Sequence, residues 1–218
     1  MERAEIFSHI DHTLLKPVSD WVGIEKLCRD ALRFGAAAVC IPPCYVQRAR
    51  AAFPDLPIST VVGFPLGYST AEAKLAETEQ ALREGADEID MVINLCDVKN
   101  GDLFKVQDEI AALKKACGEH ILKVIVETCY LTQEEKIALC RCVEGAGADY
   151  IKTSTGFGTG GATVEDVRLM KETVGDAVKV KAAGGIRDWA SCKAMIEAGA
   201  ERIGASAGRQ ILDEFRPE

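Results

Sequence analysis

Gly147-Ala148-Asp149-Tyr150-Ile151-Lys152 closes a helical pattern and opens an apolar run, and the arrangement recurs three more times. Gly35-Ala36 leads into Ala37-Ala38-Val39-Cys40-Ile41, Gly85-Ala86-Asp87 into Glu88-Ile89-Asp90-Met91-Val92-Ile93, and Gly199-Ala200-Glu201 into Arg202-Ile203-Gly204. Glycine at that point is the usual left-handed stop of a helix, and so short a link is typical of helix-to-strand connections. Adding the other strand-like runs gives eight strands, at 10–14, 37–41, 58–64, 88–94, 122–127, 150–154, 178–182 and 202–205. Helical patterns cover 20–34, 44–52, 69–84, 102–117, 132–145, 163–174, 188–198 and 207–215. Ser69 and Thr132 read as N-caps, each with a glutamate three positions on (Glu72 and Glu135), as in a capping box. Eight βα units predict an α/β fold, a (β/α)8 TIM barrel, with a doubly wound open sheet as the rival. No Pro/Ser-rich linker divides the chain, so 1–218 is expected to form a single domain.

Composition narrows the function. The 218 residues are 48% hydrophobic, enough for one large core. The net charge of −8 argues against nucleic acid and against an anionic membrane surface as partners; an anionic substrate would need positive charge concentrated locally. The charged start Met1-Glu2-Arg3-Ala4-Glu5 is not followed by the apolar run of a signal peptide. Nine cysteines without a Cys-x-x-Cys pair fit a reduced, cytoplasmic setting in which most are small core residues.

In a barrel of this kind chemistry sits at the C-terminal ends of the strands. The polar residues falling there are Asp11, Cys40, Asp90, Glu127, Lys152 and Lys181, from six strands. Buried lysines are rare unless paired or used. The bland reading of Lys152 is an ion pair with a neighbouring acid. The chemical reading sets it beside Lys181: two ammoniums about 5 Å apart repel by about 3 kcal/mol at an effective dielectric of ~20, lowering one pKa by about two units. Desolvation acts in the same direction. The neutral amine that results is a Schiff-base nucleophile for a carbonyl substrate, and Asp90 would exchange protons with it. Lys179 shares the parity of Lys181, but Lys181 lies nearer the strand's C-terminal end.

Other motifs rank lower. Gly156-Phe157-Gly158-Thr159-Gly160-Gly161 matches G-x-G-x-x-G, but it follows the sixth strand, and the strand some 20 residues on lacks the terminal acid that would hold a ribose. A loop whose amides approach a phosphate or carbonyl fits better. Three histidines without metal-ligand spacing give a metal site little support. Gly184-Gly185 and Gly204-Ala205-Ser206, after the last two strands, fit the recurrent phosphate site of such barrels, although two ordinary glycine turns would read the same.

Ile10-Asp11-His12-Thr13-Leu14-Leu15, Gly63-Phe64-Pro65-Leu66-Gly67, Glu88-Ile89-Asp90-Met91-Val92, Leu122-Lys123-Val124-Ile125-Val126-Glu127, Ile151-Lys152-Thr153-Ser154-Thr155-Gly156-Phe157 and Val180-Lys181-Ala182-Ala183-Gly184-Gly185-Ile186-Arg187 occur in order across nearly the whole chain. Together they resemble the 2-deoxyribose-5-phosphate aldolases, which are class I, Schiff-base enzymes. The resemblance implies reversible cleavage of 2-deoxy-D-ribose 5-phosphate to glyceraldehyde 3-phosphate and acetaldehyde in deoxyribose phosphate catabolism, with no metal or other cofactor. It makes Lys152 the Schiff-base lysine, Lys181 its pKa-lowering neighbour and proton relay, and Asp90 the acid/base partner acting with a water. It assigns Asp11, Cys40, Lys123 and Thr155 to substrate binding and Gly184, Gly185, Gly204 and Ser206 to the phosphate end. The expected route has neutral Lys152 attack the sugar aldehyde, with the C3–C4 bond breaking from the iminium.

The partners implied are a phosphosugar and aldehydes, within a homodimer or larger homo-oligomer. Ala207 stands where many members carry a second hydroxyl residue, so the grip on phosphate would either be weaker or lean on backbone amides. The ending Phe215-Arg216-Pro217-Glu218 does not supply the terminal tyrosine of some members. The rivals are a lysine-dependent barrel lyase or transferase on another phosphosugar, and a silent phosphosugar-binding barrel. Alkylation of Cys40 by unsaturated aldehydes is a further expectation.

Overall fold

The computed structural model describes residues 6–215; the Met1–Glu5 start and the last three residues, where a terminal tyrosine would fall, lie outside them. Eight parallel strands close in sequence order: β1 (Ile10–Thr13), β2 (Ala38–Ile41), β3 (Ile58–Val62), β4 (Glu88–Val92), β5 (Ile121–Ile125), β6 (Tyr150–Lys152), β7 (Lys179–Ala183) and β8 (Arg202–Ala205). β8 pairs with β1, with Asp11 opposite Gly204, so the fold is a (β/α)8 barrel and the open-sheet rival is ruled out. The helices are α1 (Trp21–Phe34), α2 (Val46–Ala52), α3 (Ala71–Arg83), α4 (Leu95–Lys99), α5 (Leu103–Cys117), α6 (Gln133–Gly145), α7 (Val164–Val174), α8 (Trp189–Glu197) and α9 (Gly208–Glu214).

Strand alternation separates two interiors. Ile89 and Met91, Leu122 and Val124, Ile151, Val180 and Ala182 are fully buried and join one hydrophobic cluster with helix residues such as Ile110, Leu139, Val143 and Met170. Among the alternate residues are Glu88, Asp90, Lys123, Lys152 and Lys181, all buried, which form a polar interior. Six of the nine cysteines are buried, and all nine are unpaired. Among the described residues no helix is long and apolar enough to cross a membrane.

The repeated Gly-Ala turns explain the alternation. Gly35, Gly85, Gly147 and Gly199 all have positive φ, from 73° to 110°. The alanine after each donates its N–H back to the helix, Ala36 to Ala31, Ala86 to Ala81, Ala148 to Val143 and Ala200 to Met195, at 3.0–3.3 Å. This is the Schellman stop, which needs a residue without a Cβ at the left-handed position. The acid that follows in three repeats has a second task. Asp87 accepts from Ile58 N (2.8 Å), Asp149 from Leu122 N (2.8 Å) and Glu201 from Val180 N (3.2 Å), each at the start of the preceding strand. The same acids pair with Arg50, with Lys114 (2.7 Å) and with Lys171 (3.5 Å) on the helix leading into that strand. Asp149→Ala should therefore lower stability by about 1–3 kcal/mol, the usual cost of orphaning a buried donor. An unchanged urea midpoint would show that the seam contributes nothing.

Two local expectations are corrected. Thr70, not Ser69, caps α3: it has extended backbone, and its side chain accepts from Ala73 N. Thr132 and Glu135 do form the capping box. The strand expected over 88–94 stops at Val92, because Asn94 caps the short helix α4, which the sequence reading lacked.

Candidate active site

The polar axis is built by register. Asp90 lies opposite Lys123 across β4 and β5, and Lys152 opposite Lys181 across β6 and β7. Asp90 Oδ2 accepts from Lys152 Nζ (2.6 Å) and Lys181 Nζ (2.7 Å); Oδ1 accepts from Lys123 Nζ (2.8 Å) and Ser59 Oγ (3.0 Å). Lys181 also bonds Asp11 Oδ2. Below, Lys123 reaches Glu88 (2.5 Å) and Asp11 (3.6 Å), and Arg202 reaches Asp11 (2.5 Å), Glu88 (3.1 Å) and the Tyr150 hydroxyl (3.4 Å).

Three acids (Asp11, Glu88, Asp90) thus meet four bases (Lys123, Lys152, Lys181, Arg202) in an interior with almost no solvent. If all seven were ionised, one positive charge would be uncompensated, and burying an unpaired charge is costly. Lys123 contacts all three acids, Lys181 and Arg202 two each, and Lys152 only Asp90. Lys152 is the group least held in its charged form.

The titration directions follow the same geometry. Burial pushes the Lys152 amine below the ordinary lysine range; Asp90 opposes this, and Lys181 adds to it. Burial would also lower Lys181 and Lys123, but the acids around them outweigh it and hold both above that range. Burial would raise Asp90, yet Lys123, Lys152 and Lys181 hold it well below the carboxylate range. Desolvation, rather than repulsion by Lys181, is therefore the main cause of the lowered Lys152, because Asp11 and Asp90 already neutralise Lys181. Burial, then Asp90, pushes the Cys40 thiol up, which opposes the expected alkylation.

Above this floor opens a pocket of about 360 Å³. Lys152, Thr155, Gly184, Gly185, Gly204 and Ser206 line it, whereas Asp11, Cys40, Asp90, Lys123 and Lys181 do not; they lie fully buried. Gly184 and Gly185 have φ of 85° and 80°, and the backbone of Gly161 packs so closely on Gly184 that a Cβ at Gly161 would fall 2.3 Å from its carbonyl oxygen. The glycine-rich loop is thereby fitted against the end of β7. Lys179, at the opposite end of β7, is exposed and stands over the Tyr150 ring.

The sequence reading missed Lys16 and Arg187. With Lys152 they are the charged residues of the pocket wall, which carries no acid. Arg187 was within reach, two residues past the Gly184-Gly185 pair. Glu88 and Arg202 were also missed as partners, since Asp11 and Arg202 are 191 positions apart.

A family model described as "DeoC/LacD family aldolase" matches residues 6–214. The chain is 58% identical over 213 residues to a deoxyribose-phosphate aldolase of Clostridium botulinum (strain Eklund 17B / Type B), covering 97% of this chain and 96% of the relative. Among solved structures it is similar to an aldolase called QR15 (40% identity, TM-score 0.93, covering 96% and 95% of the two chains). It is also similar to the deoxyribose phosphate aldolase of Aeropyrum pernix, described as a unique tetramer (29% identity, TM-score 0.90, covering 97% and 91%). Fold, buried lysine cluster and near full-length similarity agree, and the chain belongs to the DeoC/LacD family of aldolases.

Proposed function

We propose that the chain cleaves 2-deoxy-D-ribose 5-phosphate reversibly to D-glyceraldehyde 3-phosphate and acetaldehyde through a Schiff base on Lys152, with 1–218 acting as one aldolase domain. The observation that carries this reading is the charge-balanced floor, which leaves Lys152 as the neutral amine at the base of a basic-walled pocket. Lys152 Nζ attacks C1 of the open-chain sugar, and loss of water gives the iminium. Asp90, ionised and 2.6 Å from Nζ, takes protons, and Lys181, held charged, returns them. The bond that breaks is C2–C3 and not the C3–C4 bond expected above, because acetaldehyde has two carbons and these must be C1 and C2. Deprotonation of the C3 hydroxyl sends the C2–C3 electron pair into the iminium. Protonation at C2 and hydrolysis then release acetaldehyde. Asp11 and Lys123 act through the floor, without touching substrate.

The phosphate end is supported by Lys16 and Arg187 with the backbone amides of Gly184, Gly185 and Ser206, which makes up for Ala207. Arg187→Ala is expected to raise KM for the phosphorylated sugar about 10–100-fold, the loss of one charge-assisted contact. Unphosphorylated 2-deoxyribose should be nearly insensitive to it; equal loss on both sugars would remove Arg187 from the phosphate site. Assembly as a homo-oligomer is supported by the tetramer described for the Aeropyrum relative, and light scattering tests it. Action in the cytoplasm is supported by nine unpaired cysteines.

The deciding experiment is borohydride reduction in the presence of acetaldehyde, followed by peptide mass spectrometry. One ethyl group on Lys152 and none on Lys179 or Lys181 is the expected result. No adduct, or one elsewhere, removes the Schiff-base reading.

A further inference from the structure

Glu127 has no role in the chemistry above, and its setting is unusual. It is 3% exposed, both its carboxyl oxygens bond Thr155 rather than a base, and it is the one non-glycine residue among the described residues with positive φ (56°). That backbone region is rarely used without glycine. The carboxylate is spent on Thr155: Oε1 accepts from Thr155 N (3.1 Å), and Oε2 from Thr155 Oγ1. Thr155 Oγ1 in turn accepts from Phe157 N (3.0 Å). Gly158 leaves room for this arrangement, since a Cβ there would come within 3.2 Å of the Glu127 carboxyl carbon.

A hydroxyl has one proton to donate and two lone pairs to accept with, and both Glu127 oxygens accept from Thr155. The Thr155 proton is therefore committed to Glu127 and one lone pair to Phe157. One lone pair remains, and Thr155 lines the pocket beside Lys152. The group it can take from a substrate is a hydroxyl donor, not a phosphate oxygen. We propose that Glu127 is a positioning residue that fixes Thr155 as an acceptor for a hydroxyl of the substrate, and so selects hydroxylated acceptor aldehydes over those lacking that group. This rests on the aldolase reading. The C3 oxygen exchanges its proton at the lysine floor, so the C4 hydroxyl, which is the C2 hydroxyl of glyceraldehyde 3-phosphate, is the one Thr155 would receive.

The test is the ratio of kcat/KM, in the synthetic direction with acetaldehyde, for D-glyceraldehyde 3-phosphate over 3-oxopropyl phosphate, which lacks that hydroxyl. In Glu127→Gln the amide can donate to Thr155 and free its proton, and the ratio should fall roughly tenfold, the value of one hydrogen bond. Thr155→Val should lower it similarly, Thr155→Ser should preserve it, and Glu127→Gln added to Thr155→Val should change it no further. A merely structural role would slow both acceptors alike. An unchanged ratio, or equal loss on both, overturns the proposal; if Glu127→Gln does not fold, the Thr155→Val ratio decides in the same way. Labelling of Lys152 by acetaldehyde and borohydride, which involves no sugar hydroxyl, separates the two readings. Wild type unlabelled at Lys152 fails the aldolase reading, whereas a labelled enzyme with an unmoved ratio fails only the role of Glu127.

Discussion

Lys152→Met should lower kcat by about 10⁵–10⁶-fold, the scale seen when a covalent nucleophile is removed, while leaving the fold as stable as before or more so. Both halves follow from the same geometry. On the proposed mechanism the amine is the nucleophile, and no other group at the pocket floor would replace it; Lys181 is fully buried and held charged by Asp11 and Asp90. Methionine is close to lysine in length and carries no charge, and the floor it leaves has three acids facing three bases. Stability should not suffer, since the residue removed was the unbalanced one. Calorimetry should find 2-deoxyribose 5-phosphate still bound, and borohydride labelling should vanish. Residual turnover above about one part in 10³ would deny Lys152 its role, and a large drop in Tm would show that it had been a charged structural partner.

Lys123→Met reverses this pattern. Lys123 contacts Asp90, Glu88, Asp11 and the Ser59 hydroxyl, all buried. Its removal leaves a buried anion unpaired and should cost about 3–5 kcal/mol, a large part of the 5–15 kcal/mol typical of a domain. The chemical consequence is separate. With three acids facing only Lys181 and Arg202, Lys152 becomes the third cation, and its pKa rises. On the proposed mechanism the reactive form is the neutral amine, so kcat/KM should climb as pH rises through the pKa of Lys152. In wild type that acidic limb lies below the ordinary lysine range, because burial lowers the group; in the variant it should move to higher pH. At any pH on that limb, below the pKa of Lys152, activity then falls about tenfold for each unit of the shift. A pH profile of kcat/KM on the folded fraction checks this, and a limb that stays in place would refute the charge-balance argument.

Much of this was legible in the chain because its signals are local. A Gly-Ala pair after an amphipathic run is a helix stop wherever it occurs, so the alternation of elements could be read directly. Lys152, Lys181 and Asp90 stood out because a charged residue in an apolar strand demands an explanation. What could not be read depends on which distant strands face each other. Arg202 and Glu88 look like ordinary residues at strand starts, and only barrel closure brings them onto Asp11 and Lys123. Lys16 and Arg187 sit in loops, where lysine and arginine are unremarkable until both line one wall. The repulsion between Lys152 and Lys181 was overrated for the same reason: its strength depends on Asp11, from the far end of the chain, having already neutralised one partner.

The Gly-Ala-acid seams also rank the strand pairs. Asp87 joins β3 to β4, Asp149 joins β5 to β6 and Glu201 joins β7 to β8, but the matching position before β2 is Ala37, which has only a backbone bond to Ile10 (3.0 Å). Amide protons of β1 and β2 should therefore exchange with deuterium before those of the other six strands, through local opening at that end of the barrel. Since β1 carries Asp11, the strand pair that breathes most readily also holds part of the buried charge cluster, with Cys40 beside it on β2. Slow trapping of Cys40 by a thiol reagent would then clock those openings.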